Sequence, residues 1–100
     1  DPELTSAALS SLERVVGQQG VIQIPPLMVA EDFSFFALEA PGFYFMLGVN
    51  APGVAFGEAA SNHSPYFYVN EDALEVGVRA MATLAVDYLE REHEQRAEGP

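Results

Sequence analysis

Metal ligation, proton transfer and nucleophilic attack each need particular side chains, and this sequence of 100 residues offers few of them. It has no cysteine and two histidines, His63 and His93. His93 stands between Glu92 and Glu94 near the C-terminal end and reads as a solvated surface imidazole. His63 lies in Asn62-His63-Ser64-Pro65, after a glycine-punctuated stretch and before the aromatic run Tyr66-Phe67-Tyr68. A loop that delivers one imidazole, stiffened by a proline and braced by aromatics, is one way a ligand reaches a metal from a rigid scaffold. No local spacing pattern supports that role, so on the residues alone His63 stays open between a structural histidine and a ligand. The adjacent acids Glu31 and Asp32 follow Met28-Val29-Ala30 and precede Phe33-Ser34-Phe35-Phe36. They suit the positive end of a helix, and neighbouring helical positions point too far apart to act unaided as a paired acid and base.

The remaining chemistry is narrowed by what the sequence lacks. It contains no His-Glu-x-x-His, no Gly-x-Ser-x-Gly, no phosphate-binding glycine loop and no Gly-x-Gly-x-x-Gly. Without thiolates, a zinc ion would find only His63 and carboxylates, fewer than the three or four protein ligands it ordinarily takes. Four Lys plus Arg stand against 15 Asp plus Glu, for a net charge of -11, and the excess is spread along the chain. Such a surface repels phosphate backbones and anionic lipid, which argues against nucleic acid and membrane partners. The aromatic residues Phe33, Phe35, Phe36, Phe43, Tyr44 and Phe45 read as core, because a base-stacking platform would interleave basic residues. The absence of cysteine leaves the redox compartment open, and with no signal-peptide pattern at the start a cytoplasmic setting is expected.

The elements that position these residues follow from capping and spacing. Asp1-Pro2-Glu3 is a helix start: an N-cap, a proline at the first position, an acid near the dipole. Leu4, Ala8, Leu12, Val15 and Val16 then recur at helical spacing, and Gly17 can take the conformation that ends the helix. Val21 to Ile24 predicts a short strand stopped by Pro25-Pro26. Glu31 to Leu38 predicts a short helix with Phe33, Phe36 and Ala37 inward, closed by Pro41-Gly42. Phe43 to Val49, almost wholly apolar, predicts a strand covered on both faces. Asn70 caps a long helix whose Leu74, Val78, Met81, Ala85 and Tyr88 form a stripe, widened by Leu84 and Leu89, for packing on a large surface. The expected fold class is therefore α/β, helices on a mixed sheet, with a radius of gyration near the roughly 13 Å of a compact domain this size. Residues 1–92 form the folded segment and 93–100 a polar C-terminal tail. A helix cap at the first residue, and two strands for three helices, suggest a piece of something longer with more sheet beside it.

Three segments in order carry a resemblance: Pro25-Pro26-Leu27-Met28-Val29-Ala30-Glu31-Asp32-Phe33-Ser34-Phe35-Phe36, then Pro41-Gly42-Phe43-Tyr44-Phe45-Met46-Leu47-Gly48, then Asn62-His63-Ser64-Pro65-Tyr66-Phe67. Together with the Asp-Pro-Glu-Leu opening and the final helix, they resemble the C-terminal end of the metal-dependent amidohydrolases of the aminoacylase, hippurate hydrolase and auxin-conjugate hydrolase type. The resemblance implies a zinc-peptidase-like α/β catalytic domain interrupted by a smaller lid or dimerisation domain. It implies hydrolysis of N-acyl amino acids or small peptides at a site of two divalent metal ions (zinc, manganese, cobalt or nickel), in a protein that forms homo-oligomers. His63 matches the family's last metal ligand. The other ligands and the general-base Glu lie upstream in the family, so no catalytic residue is assigned to this chain. Glu31, Asp32 and Ser64 are left as candidates for the substrate wall or for support of the ligand. Val29 stands where the family usually has Gly, which would reshape the pocket if that Gly lets substrate approach the backbone. Asn70 replaces the frequent Asp at the start of the last helix, and either caps well.

Two functions from different classes follow. The first is a segment of a metal-dependent amidohydrolase, inactive alone, that supplies His63 and part of the active-site wall to the remainder of the catalytic domain. The second is a stand-alone acidic interaction module whose apolar helix face binds a partner. Partner binding unaffected by loss of His63 distinguishes the second. An inactive relative that retains the fold for assembly is a third reading, separated from the first only by the upstream ligands. With neighbouring strands missing, exposed apolar surface and a tendency to self-associate are expected.

Overall fold

The structure, a computed structural model, describes residues 1–99. Helix α1 spans Pro2–Val16, and the Asp1 side chain caps it by accepting from the Leu4 N–H at 2.8 Å. Gly17 ends it with φ +76°, a conformation costly for a residue with Cβ, while its N–H donates to the Glu13 carbonyl. A single 3₁₀ turn, Gln18–Gly20, folds back on Val16. Helix α2 is Phe33–Glu39 and helix α3 is Asp72–Ala97. Asn70 does its capping work just outside α3: its Oδ1 accepts from the Asp72 N–H at 3.3 Å and its carbonyl from the Ala73 N–H at 3.0 Å. Residues 93–97 of the polar tail continue α3, where Glu92 and Arg96 approach to 4.0 Å; residue 100 lies outside the described residues. No helix among the described residues is long and apolar enough to cross a membrane.

The expected α/β fold with a mixed sheet is overturned: among the described residues there is no strand. Val21 to Ile24 and Phe43 to Val49 carry the composition of strands, but a strand exists through its ladder of bonds to a neighbour. Neither segment has such a ladder among the described residues. The prolines after Ile24 remove two backbone donors, and Val49 contributes one bridge, its carbonyl accepting from the Asn70 N–H at 2.8 Å. Phe43–Val49 is not covered on both faces either. Phe43 and Phe45, two residues apart, stack on the same side with ring centroids 5.8 Å apart, while Tyr44 and Met46 on the other side are exposed.

Packing concentrates between α1 and α3. The buried residues are Ala8, Ser11 and Leu12 of α1 and Ala80 of α3, with Leu4, Val15, Val76, Gly77, Thr83 and Leu84 half-buried around them. The stripe expected to face the core does not. Leu74, Val78, Met81 and Tyr88 are 44–70% exposed, and Ala85 and Leu89 also face solvent. The face of small side chains packs instead, because short side chains let two backbones approach closely and α1 is too narrow to cover both faces. Gly77 meets a different neighbour: a Cβ there would stand 2.9 Å from a Leu47 methyl, so segment 43–49 lies against α3 at that point. In α2, Phe33 is half-buried against Gly42, but Phe36 and Ala37, expected inward, are exposed.

The result is an open shape of 55 × 28 × 20 Å with a radius of gyration of 16.0 Å, above the compact value. Its accessible surface, 8465 Å², is well above the roughly 5,500 Å² of a compact monomer of this mass.

Candidate functional site

His63 is presented by two turns that share Ser64. The Ser64 N–H donates to the Ser61 carbonyl at 2.8 Å, and the Phe67 N–H donates to the Ser64 carbonyl at 3.1 Å. Two hydroxyls complete them: Ser61 Oγ accepts from the His63 N–H and Ser64 Oγ from the Tyr66 N–H, each at 3.1 Å. Serine favours such turns because its short hydroxyl reaches the backbone two residues on. The backbone around His63 is thus satisfied locally, and the imidazole stands exposed. Ser64 shapes the turn that carries His63.

Glu31 and Asp32 do different things. Glu31 Oε1 accepts from the Phe33 N–H and Oε2 from the Tyr44 hydroxyl, both at 3.3 Å. The Tyr44 ring lies against Phe33 with centroids 5.3 Å apart, so Glu31, the start of α2 and segment 43–49 are joined at one place. The Glu31 charge pushes the Tyr44 phenol up from its usual range, because a phenolate beside a carboxylate is disfavoured; desolvation and the hydrogen bond act the same way. Asp32 stands in helical conformation before α2 with no side-chain capping bond, and its carbonyl accepts from the Phe35 N–H at 3.1 Å. Before them, Met28 is 98% and Val29 73% exposed.

The structure connects these groups through the backbone and leaves them apart as side chains. Glu31 reaches one end of segment 43–49 through Tyr44; the loop of His63 reaches the other end through the Asn70 to Val49 bond. No group of three His, Asp or Glu side chains able to hold a metal occurs among the described residues. An exposed imidazole on a rigid turn fits one ligand position, but these residues do not make a metal site by themselves, and no catalytic step is derived through one. Sequence reasoning missed Tyr44 as the partner of Glu31. The signal was period-two alternation through 43–46, which sets Tyr44 opposite the two phenylalanines.

The class these features define is an open helical layer that presents one imidazole and one tethered carboxylate without enclosing them. Comparison with known proteins gives the family. The model of the peptidase family M20/M25/M40 matches residues 1–87, and the chain belongs to that family of hydrolases. It is 39% identical over 75 residues to IAA-amino acid hydrolase ILR1-like 2 of Arabidopsis thaliana, which covers 75% of this chain and 16% of the relative. It is 38% identical over 88 residues to thermostable carboxypeptidase 2 of Saccharolobus solfataricus, covering 88% of this chain and 21% of the relative. It is 33% identical over 82 residues to N-acetyldiaminopimelate deacetylase of Brevibacillus brevis, covering 82% and 20%. The chain therefore spans about a fifth of the length of the curated relatives it matches. No solved structure matches it significantly.

Proposed function

We propose that this chain forms part of the active-site region of a metal-dependent hydrolase that cleaves the amide bond of N-acyl amino acids, amino-acid conjugates or small peptides. The family match over residues 1–87 carries the reading, and the amide-cleaving names of its relatives support the substrate class. Within it, His63 supplies one ligand to a centre of divalent metal, with zinc, manganese, cobalt and nickel as candidates and two ions per complete site. The other ligands and the general base come from residues outside this chain. When bound, such a metal lowers the pKa of its water and polarises the scissile carbonyl. Ser64 holds the His63 turn, and Glu31, through Tyr44, fixes one end of a substrate wall that begins at Met28 and includes Asp32. The exposed stripe of α3 supports one further element, that the remainder of the hydrolase packs there and the complete protein assembles as a homo-oligomer.

The test is His63→Ala in a longer protein that carries this chain. Bound metal, measured by elemental analysis after dialysis, is expected to fall, and hydrolysis of an N-acyl amino acid to drop by at least about 100-fold. The melting temperature measured on metal-free protein should hold, since His63 is exposed. Unchanged metal content and turnover would remove His63 from the site. The 100-residue chain alone should hydrolyse nothing, and efficient turnover by it would overturn the reading.

A further inference from the structure

Helices α1 and α3, more than 50 residues apart in sequence, meet at one polar point. Ser11 is 1% exposed, the one buried polar side chain among the described residues, and its hydroxyl donates to Asp87. The Arg14 guanidinium, one turn further along α1, pairs with the same carboxylate oxygen. Asp87 itself keeps 18% of its side-chain exposure. The apolar contacts beside this point come from Ala8, Leu12 and Ala80. These apolar contacts leave the crossing of two helices the scatter of roughly 15–20° that packing ridges into grooves allows. A carboxylate held by two donors spaced three apart on the facing helix does not leave it.

We propose that Asp87 is a register latch, a charge-dependent device that fixes α1 at one rotation and one height on α3 while its carboxylate is ionised. Asp87 shares a surface depression with Ser10, Ser11 and Arg14 from α1 and Glu90, Arg91 and Glu94 from α3. Both arginines stay charged throughout. Arg91 adds to the field that favours the Asp87 anion. Glu90 and Glu94 are the other carboxylates lining that depression. The latch also sets where the exposed stripe of α3 points relative to α1, and so the orientation in which that stripe meets anything packed against it.

The chain lacks cysteine, so a spin-label pair at Ser6→Cys on α1 and Arg79→Cys on α3 reports the geometry cleanly. Pulsed electron resonance on the 100-residue chain at neutral pH should give one narrow distance distribution. Asp87→Asn should at least double its width while the far-ultraviolet circular dichroism keeps its helical form. A narrow distribution in Asp87→Asn, or a broad one in the parent, overturns the latch. If Asp87→Asn loses its helices, the parent decides. Broadening on acidification must follow the Asp87 carboxyl signal in carbon-detected NMR and keep its midpoint when Glu90→Gln and Glu94→Gln are introduced. Broadening that follows Glu90 or Glu94 instead also overturns it.

Discussion

The α1–α3 pair and the stretch between residues 21 and 70 are built from similar apolar composition but end differently. In the pair, each helix satisfies its own backbone and then meets a partner that buries Ala8, Leu12 and Ala80 and engages Ser11 and Arg14 with Asp87. In the stretch, larger side chains such as Phe35, Phe36, Met46 and Phe56 are mostly exposed, and outside the short α2 its backbone is held by isolated turns. Apolar residues stabilise a fold only where a second surface removes them from water. Both proposed site elements, the His63 turn and the Glu31 tether, lie in the less supported region. The well-packed part of the molecule is therefore scaffold, and the candidate chemistry sits on the part with the least packing of its own.

The largest expected effect is in amide hydrogen exchange. The central turns of α1 and α3 should be protected by orders of magnitude more than residues 43–49, whose amides lack a ladder of partners. Equal protection in 43–49 would show that the stretch is as firmly held as the helices, and the contrast would fail. Next in size is a matched pair of truncations. Leu12→Ala removes a buried side chain and should cost about 2–3 kcal/mol, the lower part of the usual range because the core is shallow. Phe36→Ala deletes a larger side chain that is exposed, and should stay within about 0.5 kcal/mol. Denaturant unfolding of both variants measures this, and a reversed order would mean that Phe36 is buried in solution.

The same contrast explains which features could be read from the sequence. Helix starts and stops are local, so Asp1-Pro2, Gly17 and Asn70 marked α1 and α3 within a residue or two. A strand is not local. The run Phe43 to Val49 specifies a segment able to pair, and pairing depends on a neighbour that the run does not encode. The facing of α3 was misread for a related reason. One face carries Leu74, Val78, Met81 and Tyr88, the other Ala80, Gly77 and Thr83, and hydrophobicity alone ranks the first as core. Approach by α1 around Ala80 and by Leu47 at Gly77 selects the second. At the site, the loop that presents His63 was legible from Asn-His-Ser-Pro, because its turns are made by Ser61 and Ser64 over short distances. The Tyr44 tether joins residues 13 apart in sequence and was not.

A smaller effect separates the two regions by pH. The Ser11 hydrogen bond, with Arg14 and Arg91 nearby, holds the Asp87 carboxyl below its ordinary value, against a desolvation effect in the other direction. The anion is thus favoured by the fold. Its contribution to stability is full above the unfolded-state value of about 3.9 and is lost as pH falls through the lower folded value. Thermal melts at falling pH should show the parent losing stability in that acid range more steeply than Asp87→Asn. Parallel curves would mean that Asp87 does not join the helices in solution.

The smallest effect tests the other region at its own side-chain link. Tyr44 is an acid whose folded value is raised by Glu31, so the neutral phenol is favoured and the contact with Glu31 Oε2 lasts only while the proton is present. Its contribution is complete below the ordinary tyrosine value of about 10 and disappears as pH rises through the higher folded one. Four tyrosines absorb together, so the Tyr44 titration is obtained by subtracting the phenolate curve of Tyr44→Phe from that of the parent. In Glu31→Gln the phenol should move back toward its ordinary value, since the main cause of the shift is the Glu31 charge. A Tyr44 that titrates identically with and without that charge would show that the tether is not formed. The start of α2 would then be positioned by the Phe33–Tyr44 ring contact alone, and the wall beginning at Met28 would have no polar link to segment 43–49 at Glu31.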